Sequence, residues 1–520
     1  PYVSQVWQSD QGDGTYKNPI LYADYSDPDV IRVGKDYYMT ASSFNAAPAL
    51  PILHSKDMVN WELINHAMPI IFPEEEFKIP QHGNGVWAPS IRYHNNEFYI
   101  YWGDPDHGIY MVKTKDPYGE WEDPVLVLKA KGAIDPCPLW DDDGKAYLVH
   151  AWAGSRAGVK SLLTLNKMNS EGTKVINQGK NIFDGHDKNP TVEGAKIYKR
   201  NGYYYIFAPA GGVPTGWQLA LRSKNIYGPY RSKVVLEQGS TNINGPHQGA
   251  WIETPEGDSW FYHFRDLEAY GRVVYLEPMK WEDNWPVIGK DFDGNGVGEP
   301  VETFRKPQVN ANSSMMTPQE TDEFDSDSIG LQWQWNANPE VVWKAKIAGT
   351  NYLRLFSIKS SEDAANLWLQ PNLLLQKFPA PDFTATTKVQ LFPEEAQEGK
   401  RAGLMIMGMN YATLTLSHDN KGFFIRQTEA VGANKGNSET VNSEKRINSN
   451  RIFFRVKVSS PNAECRFSYS EDGKNFTEIG KTFKASPGKW IGAKIGLFSV
   501  STSEAKRGGY ADFDWFRITK

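Results

Sequence analysis

Residues 196–207 read KIYKRNGYYYIF, and four other stretches repeat the design: VIRVGKDYYM from Val30, SIRYHNNEFYIYW from Ser90, PLWDDDGKAYLVH from Pro138 and AWIETPEGDSWFYHF from Ala250. Each is a short strand led by an apolar residue, then a turn, then a second strand rich in Tyr or Trp. Asn201-Gly202, Asn95-Asn96, Asp143-Gly144 and Glu256-Gly257 stand at the turns, where hairpins favour residues that tolerate a left-handed backbone. The units recur at roughly 50–60 residues, the spacing of propeller blades or slightly above it. Five such units predict a five-bladed β-propeller, each blade a small antiparallel sheet with its first strand on the central axis.

Aligned on their leading apolar residues (Ile31, Ile91, Leu139, Ile197 and Trp251), the repeats carry Asp27, Trp87, Asp135, Glu193 and His247 four positions earlier. Equivalent positions of a propeller converge at one end of its axis, so three acids, a tryptophan and a histidine are expected to meet there. Gathering like charges is costly and no strand requires it. The cluster therefore points to a function. Glycoside hydrolysis uses one carboxyl group to protonate the leaving oxygen and another to activate water, at roughly 6.5–9.5 Å when the configuration inverts. Acids on different blades suit that wider spacing, and a third can raise the pKa of the general acid. Binding of a divalent cation is the alternative use of such a cluster.

The remaining sequence fits that reading. The chain has 520 residues with 13% aromatics, 18 Trp, 45 Gly and 32 Pro, a composition of many short strands and turns. Aromatic faces also pack against sugar C–H faces. A net charge of -6 with no basic tract argues against a nucleic-acid partner. No apolar run is long enough to span a membrane. Cys137 and Cys465 are read as unpaired thiols. The repeats end near Trp281–Pro286. We delimit a propeller over 17–304, a polar linker over 305–323, and a second β domain over 324–520. There YLRLFSI, ATLTLSH and IFFRVKVSS alternate with period two, as in a β-sandwich. The start at Pro1 is compatible with removal of a signal peptide, giving a periplasmic or extracellular expectation, with cytoplasm as the alternative.

Seven segments of the first half, NPILYADYSDPDV, SSF…LPILHSKDMVNW, GVWAPSIRY, AIDPCPLWDDDGKAYL, TVEGAKIYK, GPHQGAWIETPEG and GRVVYLEPMKW, follow one another as they do in glycoside hydrolase family 43, which the chain resembles. The second half, with FDSDSIGLQWQWNANP and ADFDWFRI, is similar to the concanavalin-like β-sandwich that accompanies many family members. The resemblance implies an inverting, exo-acting glycosidase that takes a terminal pentose from a hemicellulosic oligosaccharide or polysaccharide. It makes Asp27 the general base, Glu193 the general acid and Asp135 the acid that tunes and orients Glu193. It places Arg272 on the substrate near Asp135, Trp87 beside the reacting sugar, Phe44 in the pocket wall and His247 in the axial cavity. No cofactor is implied for the chemistry. A structural calcium in the axis, reaching His247 through water, is.

Two departures bear on the sugar. Asn45-Ala46-Ala47-Pro48-Ala49 follows Phe44 where family β-xylosidases often have an aromatic and Pro-Gly run, and Gly211-Gly212-Val213 stands where they often have Gly-Gly-Thr. They favour α-L-arabinofuranoside as substrate, with β-D-xyloside the alternative. A non-catalytic glycan-binding protein on the same scaffold is the rival reading.

Three further signals are weaker. DFDGNGVGEPVE over 291–302 fits the spacing of an EF-hand loop, but flanking prolines and strand-like residues favour a surface turn. Trp333 and Trp335 alternate with Gln and are expected half in the core and half at the surface. The second domain is expected to pack on the propeller, with sugar binding as an alternative role.

Overall fold

The computed structural model describes the chain except for residues 312, 362, 395–398, 503 and 505. Among the described residues, five four-stranded antiparallel sheets follow one another, each made from consecutive strands. Blade 1 is Asp29–Val33, Asp36–Thr40, Ala49–Ser55 and Trp61–Met68. Blade 2 starts at Trp87–His94, blade 3 at Ala133–Trp140, blade 4 at Lys196–Arg200 and blade 5 at His247–Glu253. The quoted hairpins are the first two strands of each blade; Lys196 pairs with Phe207 and Arg200 with Tyr203 around Asn201-Gly202. The turn residues adopt the expected backbone, with φ of 49° at Asn201 and 75° at Gly202. The longest α-helix among the described residues is the four-residue turn Gly154–Ala157. No described helix is long and apolar enough to cross a membrane.

Among the described residues no strand is exchanged between the first and last blades; the ring is closed by side chains and by a backbone bridge between Leu21, ahead of blade 1, and Val274 of blade 5. Val30, Tyr37 and Met39 of blade 1 share one core with Ala250, Trp260, Tyr262 and Leu276 of blade 5. The Tyr262 hydroxyl donates to the Met58 carbonyl at 2.7 Å. Outside them, Thr15–Lys17 pairs with Thr303–Arg305.

The polar segment after residue 305 is fastened along blade 1. The Lys306 ammonium pairs with Asp10 at 2.6 Å, and the Met316 N–H donates to Asn60 at 3.1 Å.

The C-terminal part is a sandwich of two eight-stranded sheets. Its core holds Leu404, Leu414, Ile452, Phe454 and Phe513, and two propeller residues, Ala269 and Tyr270, belong to the same cluster. Packing on the propeller is specific. Trp335 pairs backbone to backbone with Ala47. Asn338 donates to the carbonyls of Ile71 and Glu74 and accepts the Ile71 N–H. His82 stacks on Trp368 with centroids 3.6 Å apart.

Trp333 and Trp335 depart from expectation. Both are buried in the sandwich core, Trp333 against Phe324 and Phe516 and Trp335 against Trp343. Cys137 and Cys465 are buried free thiols.

Candidate active site

The seven residues singled out in the sequence, Asp27, Phe44, Trp87, Asp135, Glu193, His247 and Arg272, line one pocket of about 500 Å3. A second crevice lies where the N-terminal segment meets blade 1 and the sandwich. Its Asp10 is committed to Lys306 and Asn60, which leaves Glu320 as the other acid among its described lining residues and no open pair for acid–base work.

The repeat alignment needs one correction. Entering the blades, the chain takes a left-handed residue at Asp27 (φ 54°), Ala88 (33°), Asp135 (53°), Gly194 (61°) and Gln248 (41°). In this register Asp27 and Asp135 occupy the left-handed position itself, whereas Trp87, Glu193 and His247 come one residue before it. The left-handed residue precedes the leading apolar residue by four positions in blades 1 and 3 and by three in blades 2, 4 and 5, so alignment on the apolar residue hides the step. Asp is among the residues that tolerate this conformation best, although strain remains, and such strain concentrates at functional sites.

The three acids have different surroundings. Asp27 is 5% exposed, and one carboxylate oxygen accepts the hydroxyls of Ser42 at 2.6 Å and Ser26 at 3.0 Å. Its other oxygen lies 3.5 Å from the Arg272 guanidinium. Arg272 opens the third strand of blade 5, which adjoins blade 1, and lines the same pocket as Asp135 of blade 3.

Glu193 is the most open, its side chain 23% exposed. Burial first, then the charge of Asp27, pushes its carboxyl up to about 7, against the pull of Arg272 and Lys160. Asp135 accepts the Gly194 N–H at 2.7 Å. Burial, then Glu193 and Asp27, drive its carboxyl well above the usual range, opposed by that N–H and by Lys196. Lys196 is a fully buried ammonium that donates to the Pro89 carbonyl at 3.0 Å and to Ser90 Oγ at 2.6 Å.

His247 Nε2 lies 3.3 Å from Glu193 Oε1. Burial, then Arg272, pushes the imidazole down to about 3, so it is neutral at ordinary pH. Its Nδ1 is buried without a hydrogen-bond partner. A neutral ring nitrogen of this kind fits a water-mediated contact to a cation. Among the described residues no group of three or more His, Cys, Asp or Glu forms a cage. In the 291–302 loop, Asp291 accepts the N–H groups of Gly294, Asn295 and Gly296, which is the hydrogen bonding of a tight turn.

The sequence reading missed one wall. Trp490 of the sandwich, in the loop before Lys494–Ser501, lines the pocket. It stands edge-on to Trp87 with centroids 6.2 Å apart, and the Arg272 guanidinium lies 5.9 Å from its ring. Trp490 stays 48% exposed, which leaves ring surface free for a ligand. A tryptophan set between Gly488 and Gly492 was the available signal.

Similarity to known proteins agrees with this architecture. Residues 16–286 match the family model "Glycosyl hydrolases family 43". Residues 321–519 match "Beta xylosidase C-terminal Concanavalin A-like domain". A putative beta-xylosidase of Xylanibacter ruminicola is 39% identical over 503 residues, covering 96% of this chain and 88% of that protein. The non-reducing end alpha-L-arabinofuranosidase BoGH43B of Bacteroides ovatus is 28% identical over 534 residues, covering 96% and 94%. The crystal structure of a mutant of the GH43 protein BlXynB from Bacillus licheniformis superposes with a TM-score of 0.84 at 28% identity, covering 97% of this chain and 99% of that one.

Proposed function

The chain belongs to glycoside hydrolase family 43 and is a hemicellulose-degrading glycoside hydrolase; from that premise we propose that it removes single β-D-xylosyl residues from the ends of xylo-oligosaccharides, with inversion. The observation that carries the mechanism is the unequal treatment of two acids in one pocket. Asp27, held by two hydroxyls and a guanidinium, acts as the base that takes a proton from water. Glu193, pushed up to about 7, retains its proton near neutral pH and delivers it to the leaving oxygen. Asp135 accepts the N–H of Gly194, the residue after Glu193, and so orients the acid. Phe44, Trp87 and Trp490 enclose the sugar, and a pocket walled by two domains supports cleavage at chain ends.

The preference for xylose is supported by the name of the 39% identical relative, since the arabinofuranosidase is less similar. A second reading, α-L-arabinofuranosidase, is favoured by Val213, which lines the pocket where a threonine is common, and by the alanines after Phe44. The test compares release from p-nitrophenyl β-D-xyloside and α-L-arabinofuranoside, with the product anomer followed by NMR. A xyloside preference with inversion supports the first reading; an arabinoside preference selects the second. Release of a retained anomer would contradict the proposed roles of the acids.

A further inference from the structure

Asp24 lies three residues before Asp27 and is 5% exposed. It touches none of the reacting groups described above. One carboxylate oxygen accepts the backbone N–H of Arg272 at 2.8 Å, and the other accepts the backbone N–H of Gly492 at 2.9 Å. The first partner carries the guanidinium beside Asp27. The second lies two residues beyond Trp490, on the other domain.

The surrounding backbone is built around this carboxylate. Gly271 has φ 82°, and a Cβ there would fall 2.5 Å from the Asp24 Cβ. A Cβ on Gly492 would fall 2.6 Å from the Gly271 nitrogen. The two domains therefore meet backbone to backbone through a pair of glycines, and the Ala493 N–H donates to the Ala269 carbonyl at 2.7 Å. Burial pushes two sandwich amines, Lys377 and Lys494, down to about 7 and about 8, and the field of Asp24 opposes that fall.

We propose that Asp24 is a positioning residue that clasps Arg272 and the Trp490 loop together, so that one buried carboxylate sets both the guanidinium beside Asp27 and the aromatic wall supplied by the sandwich. The clasp rests on the site described above and goes beyond the roles assigned to the three acids.

Asp24→Asn is the discriminating variant. An amide accepts through its single oxygen, and its NH2 then faces the second N–H, so one arm of the clasp is lost with little change in volume. Gly492→Ala opens the same contact from the other side, by driving a Cβ into Gly271, and leaves Asp24 intact. Hydrogen exchange is read on peptides covering 269–273 and 487–493. Both are expected to exchange about tenfold faster or more in each variant, with the blade strands unchanged. Release of neither segment, or of one alone in both variants, would overturn the clasp.

Kinetics supply the second arm, with Trp490→Ala as partner. Trp490→Ala is expected to raise KM, whereas Asp24→Asn raises KM and also lowers kcat, because Arg272 moves too. Combined, the two losses in kcat/KM should fall short of their product by about fivefold or more, the mark of residues acting through each other. Losses that multiply cleanly would overturn the proposal. If the unmodified enzyme released neither pentoside, the proposed function would fail, and the exchange arm would still decide the role of Asp24.

Discussion

The two walls of the pocket were made in different ways. On the propeller side, Asp27, Asp135 and Glu193 sit within a residue of the same left-handed step at the start of three inner strands, so the repeat itself carries them to one place. On the sandwich side a single loop brings a single ring, Trp490, held at its far end through Gly492. Repetition concentrates charge, and the appended domain supplies shape. If that division holds, changes on the propeller wall alter the chemical step and changes on the sandwich wall alter binding.

The sharpest way to break it is Asp27→Ala. Loss of the base should lower kcat by about 10³–10⁴-fold on every substrate, with the melting temperature kept within a few degrees. A large stability loss with moderate kinetic effect would make Asp27 a structural residue. Arg272→Met should cost about 10–100-fold in kcat/KM and carry a pH signature. Glu193 works protonated, so activity falls as pH rises through about 7. The Arg272 charge lowers that value, and its removal should move the alkaline limb of the kcat/KM profile to higher pH. An unmoved limb would separate Arg272 from Glu193.

Trp490→Ala tests the other wall. It should raise KM about fivefold, roughly 1 kcal/mol of lost contact, with kcat changed by less than about twofold. A main effect on kcat would erase the distinction between the walls. The smallest expected effect is that of a chelator: treatment with EDTA should leave kcat unchanged, and a loss of a few degrees in melting temperature would support a structural cation beside His247. A kcat that vanished with EDTA and returned with calcium would place the cation in the chemistry.

This asymmetry also explains what could be read in advance. The hairpins were legible because each repeats an apolar lead, a turn with left-handed residues and an aromatic strand, signals that need no tertiary context. The acids were legible because strands have no use for them. The register of Asp27 and Asp135 was one residue off, since the distance from the left-handed residue to the first apolar residue varies between blades. Trp335 was expected partly at the surface because its strand hydrogen-bonds to Ala47 and Pro48 of the other domain, a contact that alternation with Gln does not reveal. Trp490 and Asp24 were missed for the same reason: each acquires its role at a contact between distant parts of the chain.

The central claim is that one pocket holds a protonated Glu193 for the leaving oxygen and a separate base, Asp27, for water. The most direct test is the leaving-group dependence of Glu193→Ala. Hydrolysis of xylobiose, whose leaving alcohol needs a proton, should fall by about 10²–10⁴-fold, while an aryl xyloside with an acidic phenol should lose far less. Asp27→Ala, measured beside it, should fail on both substrates. Equal losses on both substrates in the Glu193 variant would contradict the account.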